Sequence, residues 1–512
     1  MTDKLKQVFI FTFIIGLIAY GFVFTNYYPS HDGYMMMKTN ELWELSIGRF
    51  VVLYYAPLRG KVEATWLLGI LTLTYVAFAV FLTMEVLQIP YDNWRVFVVS
   101  SVFVLTIAFI SNSCIYIYCW DVYALALLLA VLSVYCFMQI PKYKKWRFFQ
   151  VVWCAASLMS LALSMGCYQA YYAVAVGLYL IIISKKILDD DTFRNVIIFG
   201  ISTLANLICS GGLYYLILKI CQRINNIIPD QGSYESLSNL EYLTPMGVIK
   251  TIPLCYEQVF RYFFVDKIYA SNLVCYANMA LFLIGITLWG YCIIYRVRNI
   301  QNRALLIIIL ALFPLGINCI SILTGGDMFQ LMIWSYQLFY IMLLYPLLYN
   351  AEISDFRIFN IRIYLPVFLI VVLISIGVVR YSNDILYYQK LVGEGTKAYL
   401  TNIIYDIDRT EGFDESTDPV YIVGDISSAI RGDYEYQGVY SQTTGMGYGS
   451  TITYNDNFRW YLRYVLGKNY TYDIEPEVYE RIENNSEIEE MPCYPEAGYC
   501  KMVEDCLVIK FQ

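Results

Sequence analysis

The sequence predicts a polytopic α-helical membrane protein of about eleven transmembrane helices, carrying a small α+β domain in its C-terminal part. Three observations predict it. Hydrophobic residues make up 59% of the 512 and charged residues only 15%, against about 45–50% and about 25% in an ordinary soluble chain. The apolar residues fall in runs of roughly 17–23, long enough to cross about 30 Å of hydrocarbon. From Tyr381 onward the long runs stop and acids take over, with 23 acidic residues against 10 basic ones in a chain whose net charge is −7.

The spans are expected at 7–25, 64–84, 95–111, 122–140, 151–167, 169–184, 195–217, 272–294, 304–323, 328–348 and 363–380. The first follows Lys4 and Lys6 like a signal peptide, but no small-residue cleavage site comes after it, so it reads as an uncleaved span. The fifth and sixth form a tight hairpin that turns near Gly166 to Gln169. The short basic connections then fall on one side: Lys142, Lys144, Lys145 and Arg147; Lys185, Lys186 and Arg194; Arg296, Arg298 and Arg303; Arg357 and Arg362. The positive-inside rule makes that side cytoplasmic, together with the N-terminus. An odd number of spans puts the tail outside, and an acidic tail is poorly suited to an anionic inner leaflet.

This divides the chain into a membrane domain, 1–380, with outer loops at 26–63 and 218–271, and an extracytoplasmic domain, 381–512. The tail opens on a helical pattern (Ile385, Leu391, Tyr399, Ile403), and Val420 to Val423 and Leu507 to Ile509 read as strands. The 50 tyrosines cluster near span ends, as an aromatic belt requires. Most of the 14 cysteines lie inside spans, where they act as small hydrophobes. Cys493 and Cys500 are in a position to pair if the tail is outside. One histidine and no zinc-type spacing leave no metal-ligand set. There is no P-loop, no GxGxxG and no nucleic-acid-binding pattern.

The candidate chemistry lies at the outer mouths of the spans. His31-Asp32-Gly33 follows the first span and holds the single histidine. A carboxylate there is placed to act as a general base, although Asp-Gly is also a good turn. Further along the same loop, Glu41, Glu44 and Arg49 fall in or beside a stretch, Leu42 to Tyr55, apolar enough to lie in the interface. Arg59, Lys61 and Glu63 follow it. An arginine there holds a phosphate through a two-pronged fork that lysine cannot match. Asp121 opens the fourth span, where a helix cap and a catalytic role explain it equally well, and Asp327 reads as a cap of the tenth. Tyr168 and Gln169 at the hairpin turn either bind sugar or form part of the belt. Arg261 in the large loop either reaches a lipid phosphate or snorkels.

The order of several short motifs resembles a known family. After the first span and its acidic loop come Gly48-Arg49-Phe50, then Trp120-Asp121 entering an apolar helix. Ser164-Met165-Gly166-Cys167-Tyr168-Gln169-Ala170-Tyr171 follows, and Glu490-Met491-Pro492-Cys493-Tyr494-Pro495 comes near the end. This pattern is similar to the GtrII-type membrane glucosyltransferases, which modify O-antigen or related bacterial surface glycans. The resemblance implies a GT-C-like fold in a bacterial inner membrane. It implies a sugar donor linked to undecaprenyl phosphate and a glycan acceptor outside the membrane. Carried over residue by residue, it implies catalytic roles for Asp32 and Asp121, with Arg49 on the donor phosphate and Gln169 on sugar; beside these stand Glu44 as a catalytic acid, Arg261 as an alternative on the phosphate and Tyr168 as a sugar-stacking ring. The first acid departs from the pattern, since the family often carries two adjacent acids followed by arginine, so Glu41 or Glu44 stands as an alternative base. A part for a divalent metal and the oligomeric state stay open. The rival readings are a lipid-linked glycan polymerase or ligase, a polysaccharide transporter or flippase, and an inactive scaffold. Transport predicts ionisable residues near mid-membrane, and the middles of these spans are almost free of charge.

Overall fold

The computed structural model describes the chain apart from residues 1, 27, 29, 31–32, 34–40, 61–63, 144–146, 229–243, 359, 430–431, 434–439, 441–442, 447–448, 454, 473, 475, 484 and 512. His31 and Asp32 therefore lie outside the described residues. The chain folds as two compact units. The first comprises Met1–Thr25, Asn40–Ser113 and Cys119–Asn383, and the second Asn26–Thr39, Cys114–Tyr118 and Asp384–Gln512.

Among the described residues of the first unit, eight apolar helices are long enough to cross a membrane. They are α1 (Thr2–Thr25), α4 (Thr65–Leu87), α7 (Trp120–Gln139), α8 (Arg147–Cys167), α9 (Tyr172–Leu188), α10 (Phe193–Ile224), α12 (Asn272–Tyr291) and α13 (Ile300–Ile317). A ninth, α15 (Tyr364–Asp408), contributes its residues up to Asn383. A bent pair, α5 (Asn93–Val104) and α6 (Ile107–Cys114), makes a tenth crossing if it counts as one span, with an angle of 46° at the break. Side chains satisfy the backbone donors freed there. Thr106 Oγ1 accepts from the Phe109 N–H at 3.0 Å, and the Tyr269 hydroxyl accepts from the Ile107 N–H at 3.2 Å.

The expected span at 328–348 is not one helix. Two 3₁₀ turns, Gln330–Met332 and Trp334–Gln337, lead into α14 (Leu338–Tyr349), which has only 12 residues. That is about 18 Å of helix, to which the turns add about 14 Å, so the segment still has the length of a crossing. Irregular backbone is tolerated at this depth when protein surrounds it. Trp334 packs edge-on against Phe103 at 4.9 Å, Ser335 Oγ donates to the Ile317 carbonyl at 2.6 Å, and Gln337 Nε2 donates to the Tyr262 hydroxyl at 2.9 Å. The hydropathy window that predicts a span averages over these turns and cannot see them. Asp327 does not cap α14, which starts eleven residues later.

Short side chains bring the helices together. Ser164 Oγ on α8 donates to the Ala126 carbonyl on α7 at 2.7 Å. Ser382 on α15 donates to the Ala19 carbonyl on α1 at 2.8 Å. Asn206 on α10 accepts from Tyr179 on α9 at 3.0 Å and donates to Ser157 on α8 at 3.1 Å. Interhelical hydrogen bonds of this kind hold spans that have no hydrophobic reason to associate in lipid.

The second unit is built on a three-stranded sheet. The central strand, β3 (Cys506–Lys510), pairs parallel with β1 (Val420–Val423) and antiparallel with β2 (Cys500–Val503). The strands expected at 420–423 and 507–509 form. The run Cys506 to Ile509 is continuously apolar because both of its faces are buried. Leu507 and Ile509 pack with Leu400, Ile403 and Ile407 of α15 and with Phe458 and Leu462 of α16 (Asn455–Tyr464). Cys506 and Val508 pack on the opposite face with Ile482 of α17 (Pro476–Glu483) and Ile488 of α18 (Ser486–Glu490). Helices thus cover both faces of one mixed sheet. Gln389 of α15 ties in the two inserted segments, donating to the Tyr28 carbonyl at 2.6 Å and the Cys114 carbonyl at 2.7 Å.

All fourteen cysteines are free thiols, Cys493 and Cys500 included. Burial pushes the Cys500 thiol up to about 11, so it carries little thiolate near neutral pH. Alkylation of the full-length protein at pH 8, mapped by mass spectrometry, is expected to modify Cys500 slowly until denaturant is added. Leu507→Ala removes a fully buried side chain from the central strand and is expected to destabilise this unit by about 2–5 kcal/mol. The check is a lower denaturant midpoint for proteolysis of the tail in full-length protein.

Candidate active site

The site is organised around a backbone turn in the first loop. Helix α2 (Glu41–Ser46) ends in hydrogen bonds from the Gly48 N–H to the Leu45 carbonyl at 3.1 Å and from the Arg49 N–H to the Glu44 carbonyl at 2.8 Å. Helix α3 (Phe50–Arg59) starts immediately afterwards. The reversal needs φ +97° at Gly48, a conformation that L side chains rarely adopt. A Cβ there would also lie 2.5 Å from the Tyr214 hydroxyl and 2.7 Å from Gln169 Nε2. Those two groups hold the turn. Gln169 Nε2 donates to the Ile47 carbonyl at 2.8 Å and to the Tyr214 hydroxyl at 3.2 Å, while Tyr214 donates to the Gly48 carbonyl at 3.1 Å. Gln222, one more α10 residue, donates to the Leu45 carbonyl at 3.3 Å.

The hairpin motif, expected either to bind sugar or to form part of the aromatic belt, holds this turn through Gln169. Gly166 leaves room for the Phe50 ring, whose atoms would stand 2.5 Å from a Cβ. Phe50 also stacks on Tyr214 at 5.9 Å. The Tyr168 ring lies under the Arg49 guanidinium at 4.8 Å and is itself buried against Tyr123, also at 4.8 Å. A cation over an aromatic face gains roughly 2 kcal/mol when desolvated.

Two ion pairs are buried beside it. Arg49 Nη1 meets Glu44 Oε2 at 3.1 Å, with side chains 7% and 0% exposed. Arg59 Nη1 meets Asp121 Oδ1 at 2.6 Å, again 7% and 0% exposed. The second carboxylate oxygen of Asp121 accepts from the Tyr55 hydroxyl at 2.8 Å, and the Tyr75 hydroxyl stands 3.1 Å from that of Tyr55. Tyr55 and Arg59 are four residues apart, on one face of α3. Asp121 is the second residue of α7, whose N-cap position is Cys119; its side chain reaches the Val122 N–H in its own first turn as well as the two α3 donors. All four charged groups act electrostatically on the buried Cys119 thiol, at the N-cap position of α7.

The structure therefore brings together five of the residues expected from sequence, Glu44, Arg49, Asp121, Tyr168 and Gln169. Arg261 is elsewhere, on the exposed side of α11 (Pro245–Phe264), where Asp266 holds it at 2.8 Å. Sequence reasoning did not single out Arg59, Tyr55, Tyr75, Tyr214 and Gln222. Arg59 was visible as a charge in the first loop, but nothing in its spacing pointed to Asp121. The three tyrosines were indistinguishable from the belt. Among the described residues no group of three His, Cys, Asp or Glu side chains is placed to hold a metal.

Buried ion pairs on the short first-loop helices and at the start of α7, set among membrane-length helices, define a polytopic membrane protein with a charged centre rather than a plain apolar bundle. The glucosyl transferase GtrII family matches residues 21–350, a stretch that covers more than half of the chain and includes every member of this cluster, and the chain belongs to that family. Membership implies glucosyltransferase activity. No curated protein and no solved structure matches the chain.

Gly48→Ala places a Cβ at a left-handed position against two hydrogen-bonding side chains. It is expected to destabilise the protein by more than about 1 kcal/mol and to lower activity with it. Thermal unfolding in detergent checks this, with Gly60→Ala expected to lose less, because Gly60 has a similar φ of +94° but a Cβ there meets nothing within 4 Å.

Proposed function

We propose that the protein transfers glucose from a polyprenyl-phosphate donor to a hydroxyl of a cell-surface glycan, with inversion at the anomeric carbon. The reaction takes place at the extracytoplasmic face of a bacterial inner membrane, with the N-terminus cytoplasmic and the tail outside. The observation that carries this reading is the buried Glu44–Arg49 pair, seated on Tyr168 within the stretch that matches the family. A lipid-linked donor suits a chain with no nucleotide-binding motif, and the basic connections support the orientation.

In the proposed reaction a first-loop carboxylate takes the proton of the acceptor hydroxyl as its oxygen bonds to the anomeric carbon. The bond from that carbon to the phosphate oxygen breaks, and the electron pair leaves with lipid phosphate. Arg49 stabilises the charge that develops there. Asp32 is the base that the family resemblance implies, and Glu44 is the alternative. In the first case Glu44 orients Arg49. Gln169 and Tyr168 act through Arg49 and its turn, as supports rather than as sugar ligands.

The test is transfer of labelled glucose from synthetic undecaprenyl-phosphate-glucose to host surface glycan, in membranes with equal amounts of each variant. Wild type is expected to transfer, and the variant lacking the base to lose about 10²–10⁴-fold. Loss in Asp32→Asn with partial activity in Glu44→Gln assigns the base to Asp32, and the reverse assigns it to Glu44. Absence of transfer by correctly inserted wild type, with glucose and with other lipid-linked sugars, overturns the proposal.

A further inference from the structure

Two consecutive spans, α12 and α13, are joined through a π-wound turn, Cys292–Arg296, and residues 297–299, yet they barely touch. Each packs on a different neighbour, and a glycine marks each contact. A Cβ at Gly285 of α12 would stand 2.8 Å from the Leu343 side chain on α14, and one at Gly316 of α13 would stand 2.6 Å from Leu180 on α9. Gly290 of α12 is different: a Cβ there meets nothing within 4 Å. It lines a cavity of about 700 Å³ between the two spans, backed by Phe339, Met342 and Leu343 of α14. The Trp289 indole N–H donates to the Met342 carbonyl at 2.8 Å and fixes that wall.

Helix α11 closes one end of this slot. Tyr256 donates to the Ala311 carbonyl of α13 at 3.0 Å, and Gln258 accepts from Asn318, just beyond α13, at 2.9 Å. The Phe263 carbonyl accepts from Asn278 of α12 at 2.9 Å. α11 thus bridges both spans at the end that the proposed orientation puts outside, and its Phe260 and Phe264 line the cavity. The charges at this rim are engaged with one another, Arg261 with Asp266 at 2.8 Å and with Glu257 at 3.8 Å, so what the slot offers a ligand is apolar. Counted along the helices from the connection at 297–299, the lining runs from about 7 Å at Ile293 to about 24 Å at Phe282 and Pro314. It therefore crosses the middle of a hydrocarbon core about 30 Å thick. Spread over that length, the volume leaves a channel roughly 7 Å across, which admits a branched hydrocarbon chain and excludes a helix about 10 Å across.

We infer that this slot holds the polyprenyl chain of the donor. The inference rests on the glucosyl transfer and the orientation proposed above. An acyl chain anchored in either leaflet reaches the middle of the core, about 15 Å, and so fills only part of a slot that crosses it. α11 also occupies the place above the slot where an outer-leaflet headgroup would stand. A polyprenyl chain is longer than a leaflet is deep. It enters from the side, between the exposed Ile286 and Ile307, and runs the length of the slot. Lipid is as apolar as the slot, so the hydrophobic effect does not drive this step. The gain is the fit of methyl branches and double bonds against fixed rings and branched side chains. One wall, α13, packs on α9, which starts at Tyr172 directly after the hairpin that holds the first-loop turn. A chain held here therefore restricts where its phosphate and sugar move, and that restriction is a positioning contribution to the rate.

The experiment uses full-length protein in nanodiscs and undecaprenyl phosphate with a photoreactive group in its chain. Adducts mapped by mass spectrometry are expected on the slot residues of α12 and α13. Unlabelled undecaprenyl phosphate is expected to compete for them better than phosphatidylglycerol or farnesyl phosphate does. Gly290→Phe puts a ring into the open space and leaves the packed faces of α12 alone, so its melting temperature is expected to stay close to wild type. It is expected to lose the slot adducts and to raise KM for undecaprenyl-phosphate-glucose about tenfold, as loss of a well-packed stretch of chain contacts would. Its kcat/KM for a farnesyl-phosphate-glucose donor is expected to match wild type. Gly290→Leu is expected to fall between the two and serves if the larger variant does not fold. Gly200→Phe on α10, where a Cβ meets only Ile183 at 3.9 Å, is expected to behave as wild type throughout. Equal competition by phosphatidylglycerol would make the slot a site for any membrane lipid and overturn the inference. An equal loss with long and short donors in Gly290→Phe would reduce the residue to a structural role and overturn it too. Adducts confined to other helices, in a wild type that transfers glucose, would sink the slot and leave the proposed reaction standing. Slot adducts as expected, in a wild type that transfers none, would keep the chain site and sink the reaction instead.

Discussion

The amide of Gln169 donating to the carbonyl of Ile47 fixes where the first loop meets the helix bundle. Without that grip and the matching one from Tyr214, the reversal at Gly48 would be a strained turn with nothing to hold it. With it, α2 and α3 leave the turn in set directions, and everything charged in the cluster follows from those directions. Glu44 and Arg49 are five residues apart across the turn, and only the reversal lets them meet. The grip is also a backbone contact, so it tolerates changes in the side chains around it but not at Gly48. The Gly-Arg pair in the sequence therefore has a steric cause: glycine for the close approach of two polar side chains, arginine for the carboxylate that the turn returns to it.

Buried ion pairs are costly in a membrane protein, where water is scarce and an unpaired charge strands a neighbour. The cluster limits that cost by setting a buried carboxylate against each arginine and by seating Arg49 on the Tyr168 face. The polar atoms of the pairs lie at helix ends, on α2, α3 and the first turn of α7, and not in the middles of spans. Ser164, Gly166, Tyr168 and Gln169 then form a continuous series, in which one residue ties α8 to α7, the next admits Phe50, and the last two hold Arg49 and the turn. In the fold this hairpin is a socket for the first-loop turn.

Much of this was legible because membrane spans leave long, unambiguous signals. The nine membrane-length helices among the described residues all coincide with expected spans, and two strands of the tail were visible as short apolar runs. What failed has a physical reason in each case. The segment at 328–348 is apolar enough to average as a span, but its first half is wound in 3₁₀ turns that hydropathy does not register. In the tail, where the two strands were legible, the run Cys506-Leu507-Val508-Ile509 did not say what covers either side, and β3 alternates between two cores. At the site, single charges such as Glu44, Arg49 and Asp121 stood out against an apolar background. Arg59, Tyr55 and Tyr214 did not, because their partners lie far away in sequence and tyrosine is common throughout this chain. The pairing of α3 with α7 is a tertiary fact with no local trace.

The order of strands in the second unit bears on how that unit is made. The strand that both others pair with, β3, follows them in the chain, and β1 precedes it by the whole of α16, α17 and α18. At about 5–20 residues per second of synthesis, β1 waits for several seconds with no parallel partner. During that interval Val420 to Val423 is an apolar, β-prone segment with open edges, the type most apt to pair with another chain. The helices made in between, rich in glutamate from Glu477 to Glu490, keep the nascent segment soluble through net charge until β3 emerges. A ribosome that stalls before Cys506 would release a unit with two edge strands and no centre.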